Sequence, residues 1–164
     1  MTKMKTSIWK SKRWQHYYDT DVTRSGLRVY FEKDVHGDVK RACKDMIKWL
    51  RSQYVFPKRV RLYVKASKRI KSMYGDMVCG TFFRPIDREV EPYIRIATGD
   101  YLDLVSECGE ADALAAIIWT ILHELTHYYQ WLNDIELTPI GEERQATQYA
   151  NRMLYEYAQT RDTP

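Results

Sequence analysis

The sequence predicts an α+β domain, and two patterns carry that prediction. Apolar residues recur every three or four positions before residue 53 and again after residue 110, whereas between residues 59 and 97 they alternate every second position. Helices on either side of a strand-rich middle make an α+β arrangement. With 164 residues, 45% of them hydrophobic and 13% aromatic, the chain can bury one core of ordinary size.

Residues 1–26 read as a flexible basic tail, because Lys3, Lys5, Lys10, Lys12 and Arg13 all precede the first acid, Asp19. Trp9 and Trp14 are the residues able to order part of it, and 27–164 is left as a single domain. The first helix is expected over 34–52, with Asp34 as N-cap and Val39, Ala42, Cys43, Met46, Ile47 and Leu50 on one face. Alternation of aliphatic with basic or polar residues over 59–65 predicts a half-buried strand whose basic face could touch phosphate. Two short strands follow, at 80–84 and 93–97, the second setting Ile94 and Ile96 opposite Arg95. Gly99 and Asp100 then mark a turn.

The strongest helical signal spans 110–132, where Leu114, Ile117, Ile118, Ile121, Leu122, Leu125 and Tyr129 form a wide apolar stripe. A loop is expected at 133–141, containing Pro139, and a last helix at 142–157 with Ala146, Tyr149, Ala150, Met153 and Leu154 inward.

Charge divides the chain unevenly. Residues 1–73 hold 20 Lys+Arg and 6 Asp+Glu (+14), residues 74–164 hold 6 and 16 (−10), and the halves sum to +4. Such asymmetry suits either solvated faces or an acidic or nucleic-acid partner. The longest apolar run, 113–122, is about half of what a bilayer requires, so no membrane is implied. Cys43, Cys79 and Cys108 are widely spaced, odd in number and form no CxxC pair, which argues against a disulfide framework or a zinc ribbon. Together with the lack of a secretory pattern at the start, this points to the cytoplasm.

The chemistry lies in His123-Glu124-Leu125-Thr126-His127, inside the strongest helix. Residues four apart share a helix face, so both imidazoles reach one cation while Glu124 stands beside them. Zinc takes imidazole nitrogen well, and a catalytic site keeps three protein ligands and one open position for water. This is the HExxH pattern, with the histidines as ligands and Glu124 as general base. The chain's other histidines, His16 and His36, both precede the motif, which excludes a third histidine just after it. A carboxylate on the next helix is the natural third ligand; Glu142 and Glu143 both qualify, and periodicity does not decide between them. Asp134 and Glu136 lie in the intervening loop. Tyr128, Tyr129, Tyr149 and Tyr93 are candidates to stabilise an oxyanion, with no single choice favoured.

Glu143-Arg-Gln-Ala146-Thr-Gln-Tyr149-Ala150 resembles the ExxA(N/D)xxA segment that follows HExxH in small gluzincins, the minigluzincins and the ImmA/IrrE-type metallopeptidases. The resemblance covers residues 59–155 and rests on about ten positions. It implies a zincin-like fold, peptide-bond hydrolysis of a peptide or protein substrate, zinc as cofactor and Glu143 as third ligand. Thr147 departs from the pattern, standing where the family has Asn or Asp to support a ligating histidine. SprT-type proteases match less well, since their third histidine and zinc ribbon are missing here.

Overall fold

A computed structural model of the chain describes residues 7–18 and 26–161. Two short 3-10 turns, Ile8–Lys10 and Arg13–His16, precede β1 (Leu27–Phe31), α1 (Gly37–Gln53) and β2 (Val60–Lys65). Next come a two-stranded hairpin of β3 (Ile70–Lys71) and β4 (Met77–Val78), then β5 (Gly80–Phe83) and β6 (Tyr93–Ala97). Three helices complete the chain: α2 (Tyr101–Cys108), α3 (Glu110–Leu132) and α4 (Pro139–Arg161). The architecture is α+β.

A mixed four-stranded sheet has the order β1-β2-β6-β5. β1 runs parallel to β2, with Leu27 opposite Val60, and β2 runs parallel to β6, with Leu62 opposite Ile94. β5 closes one edge antiparallel to β6, with Phe82 opposite Ile94. Strand alternation sends Leu27, Val60, Leu62, Val64, Ile94 and Ile96 to one face, where each is buried. There they join the apolar faces of α1 and α3 in one core that includes Val39, Met46, Leu50, Ile121, Leu122 and Leu125. Covering one face of a sheet with helices removes that apolar surface from water, the main favourable term in folding.

Several elements differ from expectation. The first regular element is the strand β1, whose Leu27, Val29 and Phe31 alternate with Arg28 and Tyr30 over five residues, short enough to escape a search for longer runs. α1 begins at Gly37, capped by His36, whose Nδ1 accepts the N–H of Asp38 at 3.0 Å; Asp34 is not the cap. The turn expected at 99–100 is present, but it leads directly into α2, a helix the sequence did not announce, and Gly109 at φ +89° separates α2 from α3. A positive φ at the junction of two helices is a conformation that glycine occupies without strain. α4 starts at Pro139, three residues before its expected start. Thr138 caps it, Oγ1 accepting the Gly141 N–H at 3.0 Å, and proline suits the first helical position because its missing N–H has no partner there.

Within the basic segment expected as a tail, Trp9 and Trp14 are buried. The Trp9 indole N–H donates to Thr126 Oγ1 at 3.1 Å, and the Trp14 N–H donates to Asn133 Oδ1 at 3.0 Å. This segment thus packs on the back of α3, while residues 1–6 and 19–25 lie outside the described ones. No helix among the described residues is long and apolar enough to cross a membrane.

Candidate metal centre

α3 carries His123 and His127 one turn apart, and α4 crosses it at the start of its own first turns, bringing Glu143 to both rings. His123 Nε2 lies 3.0 Å from Glu143 Oε2, and His127 Nε2 lies 3.0 Å from Glu143 Oε1. Ligand atoms of all three residues fall within 4.8 Å of one another, a grouping able to hold a metal ion. Two ligands about 2.1 Å from a tetrahedral zinc stand about 3.4 Å apart, so the observed separations are a few tenths of an ångström short of that requirement.

The donor set also fits in its protonation. Gln130 donates its side-chain N–H to the Glu142 carbonyl and to Gln145 Oε1, each at 3.0 Å. A carbonyl only accepts, so Gln130 Oε1 faces the other way, 2.7 Å from His127 Nδ1. His127 must then carry its proton on Nδ1, leaving the Nε2 lone pair directed at the cluster. His123 is turned differently. Its Nδ1 is buried without a hydrogen-bond partner among the described residues, and Trp119 packs against the ring with centroids 5.0 Å apart. The Trp119 N–H is anchored on Asn151 Oδ1 of α4 at 2.7 Å. Burial, and then the neighbouring His127, lower the His123 pKa, favouring the neutral ring that a metal ligand requires.

Glu124 is 7% exposed, and burial followed by the charge of Glu143 pushes its carboxyl up to about 8. It sits under the edge strand β5. A Cβ on Gly80 would lie 2.8 Å from Thr120 Cγ2 and 3.2 Å from Glu124 Cγ, so only glycine lets this strand approach α3 so closely.

Of the two acids left open by periodicity, Glu143 joins the histidines and Glu142 does not: Arg84 holds the Glu142 carboxylate through both oxygens, at 3.1 and 3.2 Å. One residue of helical rotation, about 100°, separates the two fates. Asp134 is engaged by Arg88 and Tyr17, and Glu136 is exposed outside the cluster. The tyrosines suggested for an oxyanion point elsewhere. Tyr128 donates to the Lys58 carbonyl, Tyr129 to the Val55 carbonyl, Tyr149 accepts the Ile8 N–H, and Tyr93 lies on the far face of the sheet. Gln130, Trp119, Asn151 and Gly80 were not singled out in the sequence. Only Gln130, three residues past His127 and so on its helix face, carried a positional hint. No protein-family profile, curated protein or solved structure matches the chain.

Proposed function

We propose that this protein is a zinc-dependent peptidase of the gluzincin type with a zincin-like fold, His123, His127 and Glu143 holding the metal and Glu124 acting as general base. The observation that carries this reading is the convergence of two imidazoles and one carboxylate beside a second, buried carboxyl, all under a sheet edge. Bound zinc supplies a Lewis acid that polarises a carbonyl and acidifies a ligated water. A cation at the cluster also opposes the effect of burial on Glu124, returning its carboxyl towards the ionised form a base needs. A Glu124 carboxylate oxygen then takes the proton of the attacking water and delivers it to the departing amine. Among the described residues β5 has β6 on one side only, so its outer backbone groups are available to pair with an extended peptide. A cytoplasmic setting accords with the three free cysteines.

Elemental analysis and a peptide-cleavage assay test the proposal together. Wild type should carry about one zinc per chain, and Glu124→Gln should keep that zinc while losing about 10²–10⁴-fold in turnover. Full activity in the variant, or no zinc in either protein after reconstitution, overturns it.

A further inference from the structure

The face of the sheet turned away from α1 and α3 has a composition unlike the rest of the surface. β1, β2, β6 and β5 together contain Arg28, Arg61, Lys65 and Arg95 and no acid. Alternation places all four cations on this outer face, together with Tyr30, Tyr63, Tyr93 and Phe83. The rings form a run across every strand. Tyr30 stacks on Tyr63 with centroids 5.4 Å apart, Tyr63 meets Tyr93 edge-on at 6.1 Å, and Tyr93 stacks on Phe83 at 4.9 Å. Tyr30, at the β1 end of the run, is 47% exposed.

Partial neutralisation leaves the face cationic. Glu91 takes Arg61 through both oxygens at 3.0 Å, and Glu32 stands 3.9 Å from Lys65. Arg95 donates to the uncharged Lys71 carbonyl, and its Nε is buried without a partner among the described residues. A four-ring aromatic run set among guanidinium groups matches a partner that alternates flat π-surfaces with anionic charge. Bases stack on such rings, and phosphates pair with such cations. A duplex hides its base faces inside its own stack, so the aromatic run has use for unpaired bases only. A second copy of this chain fits poorly, because a two-fold contact would set these cations against themselves.

We infer that the open face of the sheet binds a single-stranded polynucleotide, bases stacking on the ring faces that the run from Tyr30 to Phe83 leaves free, the exposed Tyr30 foremost, and Arg28, Arg61, Lys65 and Arg95 contacting phosphates. The site is on the opposite side of the sheet from His123 and His127 and does not depend on the peptidase reading.

Fluorescence anisotropy of a labelled oligothymidine of about a dozen nucleotides, a length within the span of such sites, tests this on the full chain. Saturable binding should weaken with salt at a log–log slope near −3, the value for about four released counterions on a single strand. Tyr30→Ala should weaken binding about tenfold and Tyr30→Trp should restore it, since charge is unchanged in both and only the stacking surface differs. Tyr63→Ala should act similarly; if circular dichroism shows it unfolded, the exposed Tyr30 pair of variants carries the test. Glu124→Gln should bind as wild type does, which separates this result from any failure of the peptidase assay. No saturable binding at low salt overturns the inference. So does equal affinity in wild type and Tyr30→Ala, equal binding of the matching duplex, or a dimer whose formation buries the face and excludes the oligonucleotide.

Discussion

His127 is fixed by a chain of hydrogen bonds, whereas His123 is fixed by an aromatic ring. On the His127 side, Nδ1 meets Gln130, and Gln130 is held in turn by the Glu142 carbonyl and Gln145 in the first turns of α4. On the His123 side, Nδ1 has no partner among the described residues, and Trp119, anchored by Asn151, sets the ring plane. Hydrogen bonds fix a tautomer as well as a direction, but packing fixes direction alone. The comparison teaches that, if the cluster takes a metal as proposed, one ligand is chemically committed beforehand while the other retains a choice of tautomer. It also shows α4 contributing four separate supports: Glu143 between the rings, the Glu142 carbonyl and Gln145 behind one, and Asn151 behind the other.

Removing Glu143 strikes both halves and should have the largest effect. Glu143→Ala should lower zinc affinity beyond the roughly 10–100-fold typical of outer partners, while Glu142→Ala, which loses only its partner Arg84, should leave affinity within a few-fold of wild type. Chelator competition measures both, and equal losses would dissolve the distinction between these neighbours. Gln130→Leu should come next, weakening zinc about 10–100-fold by releasing the His127 tautomer, with thermal stability of the metal-free protein reported alongside to separate tautomer from packing. Unchanged affinity would mean that His127 needs no such support.

Glu124, lying between the halves, gives a smaller and pH-dependent effect. In metal-free protein its carboxyl titrates near 8, whereas in the unfolded chain it titrates near an ordinary value of about 4.3. Between these limits the folded state holds a proton that the unfolded state has lost, so stability falls as pH rises. Metal-free Glu124→Gln should therefore melt several degrees above metal-free wild type at pH 8, with the gap closing as pH falls towards 4. A gap constant across that range in thermal melts would contradict the burial of this carboxyl. The smallest effect is expected from Thr147→Asp, one turn past Glu143 on α4, where an added negative charge should tighten zinc no more than several-fold. A large change in chelator competition would show that this position supports the cluster directly.

The pairing of His123 with His127 was legible because helical geometry alone puts residues four apart on one face, and 110–132 was helical beyond question. The choice of Glu143 over Glu142 came from the resemblance of residues 143–150 to a family segment and was not decided by periodicity, because it depends on how α4 is rotated against α3, and contacts such as Arg84 with Glu142 bear on that rotation. β2 and β6 were read nearly to their ends from alternation, whereas β1 was passed over because its neighbours on both sides are polar. The early start of α4 had a local signal, Thr138 followed by Pro139, which lies inside the stretch 133–141 expected as loop although proline suits a first helical residue. Gln130 could not be found from pattern, since its role exists only once α3 and α4 meet.

The contact of Trp9 with Thr126 spans 117 positions, and that of Ile8 with Tyr149 spans 141. During synthesis the first tryptophan therefore emerges long before the helix that will receive it. A ribosome adding about 5–20 residues per second leaves that indole in water for several seconds at least. The segment can be seated only after α4 has been made, so it closes the structure instead of nucleating it, and interactions of that range are slow to form. Cutting the chain just after Trp14 should then change how fast the finished protein falls apart far more than how fast it first collapses.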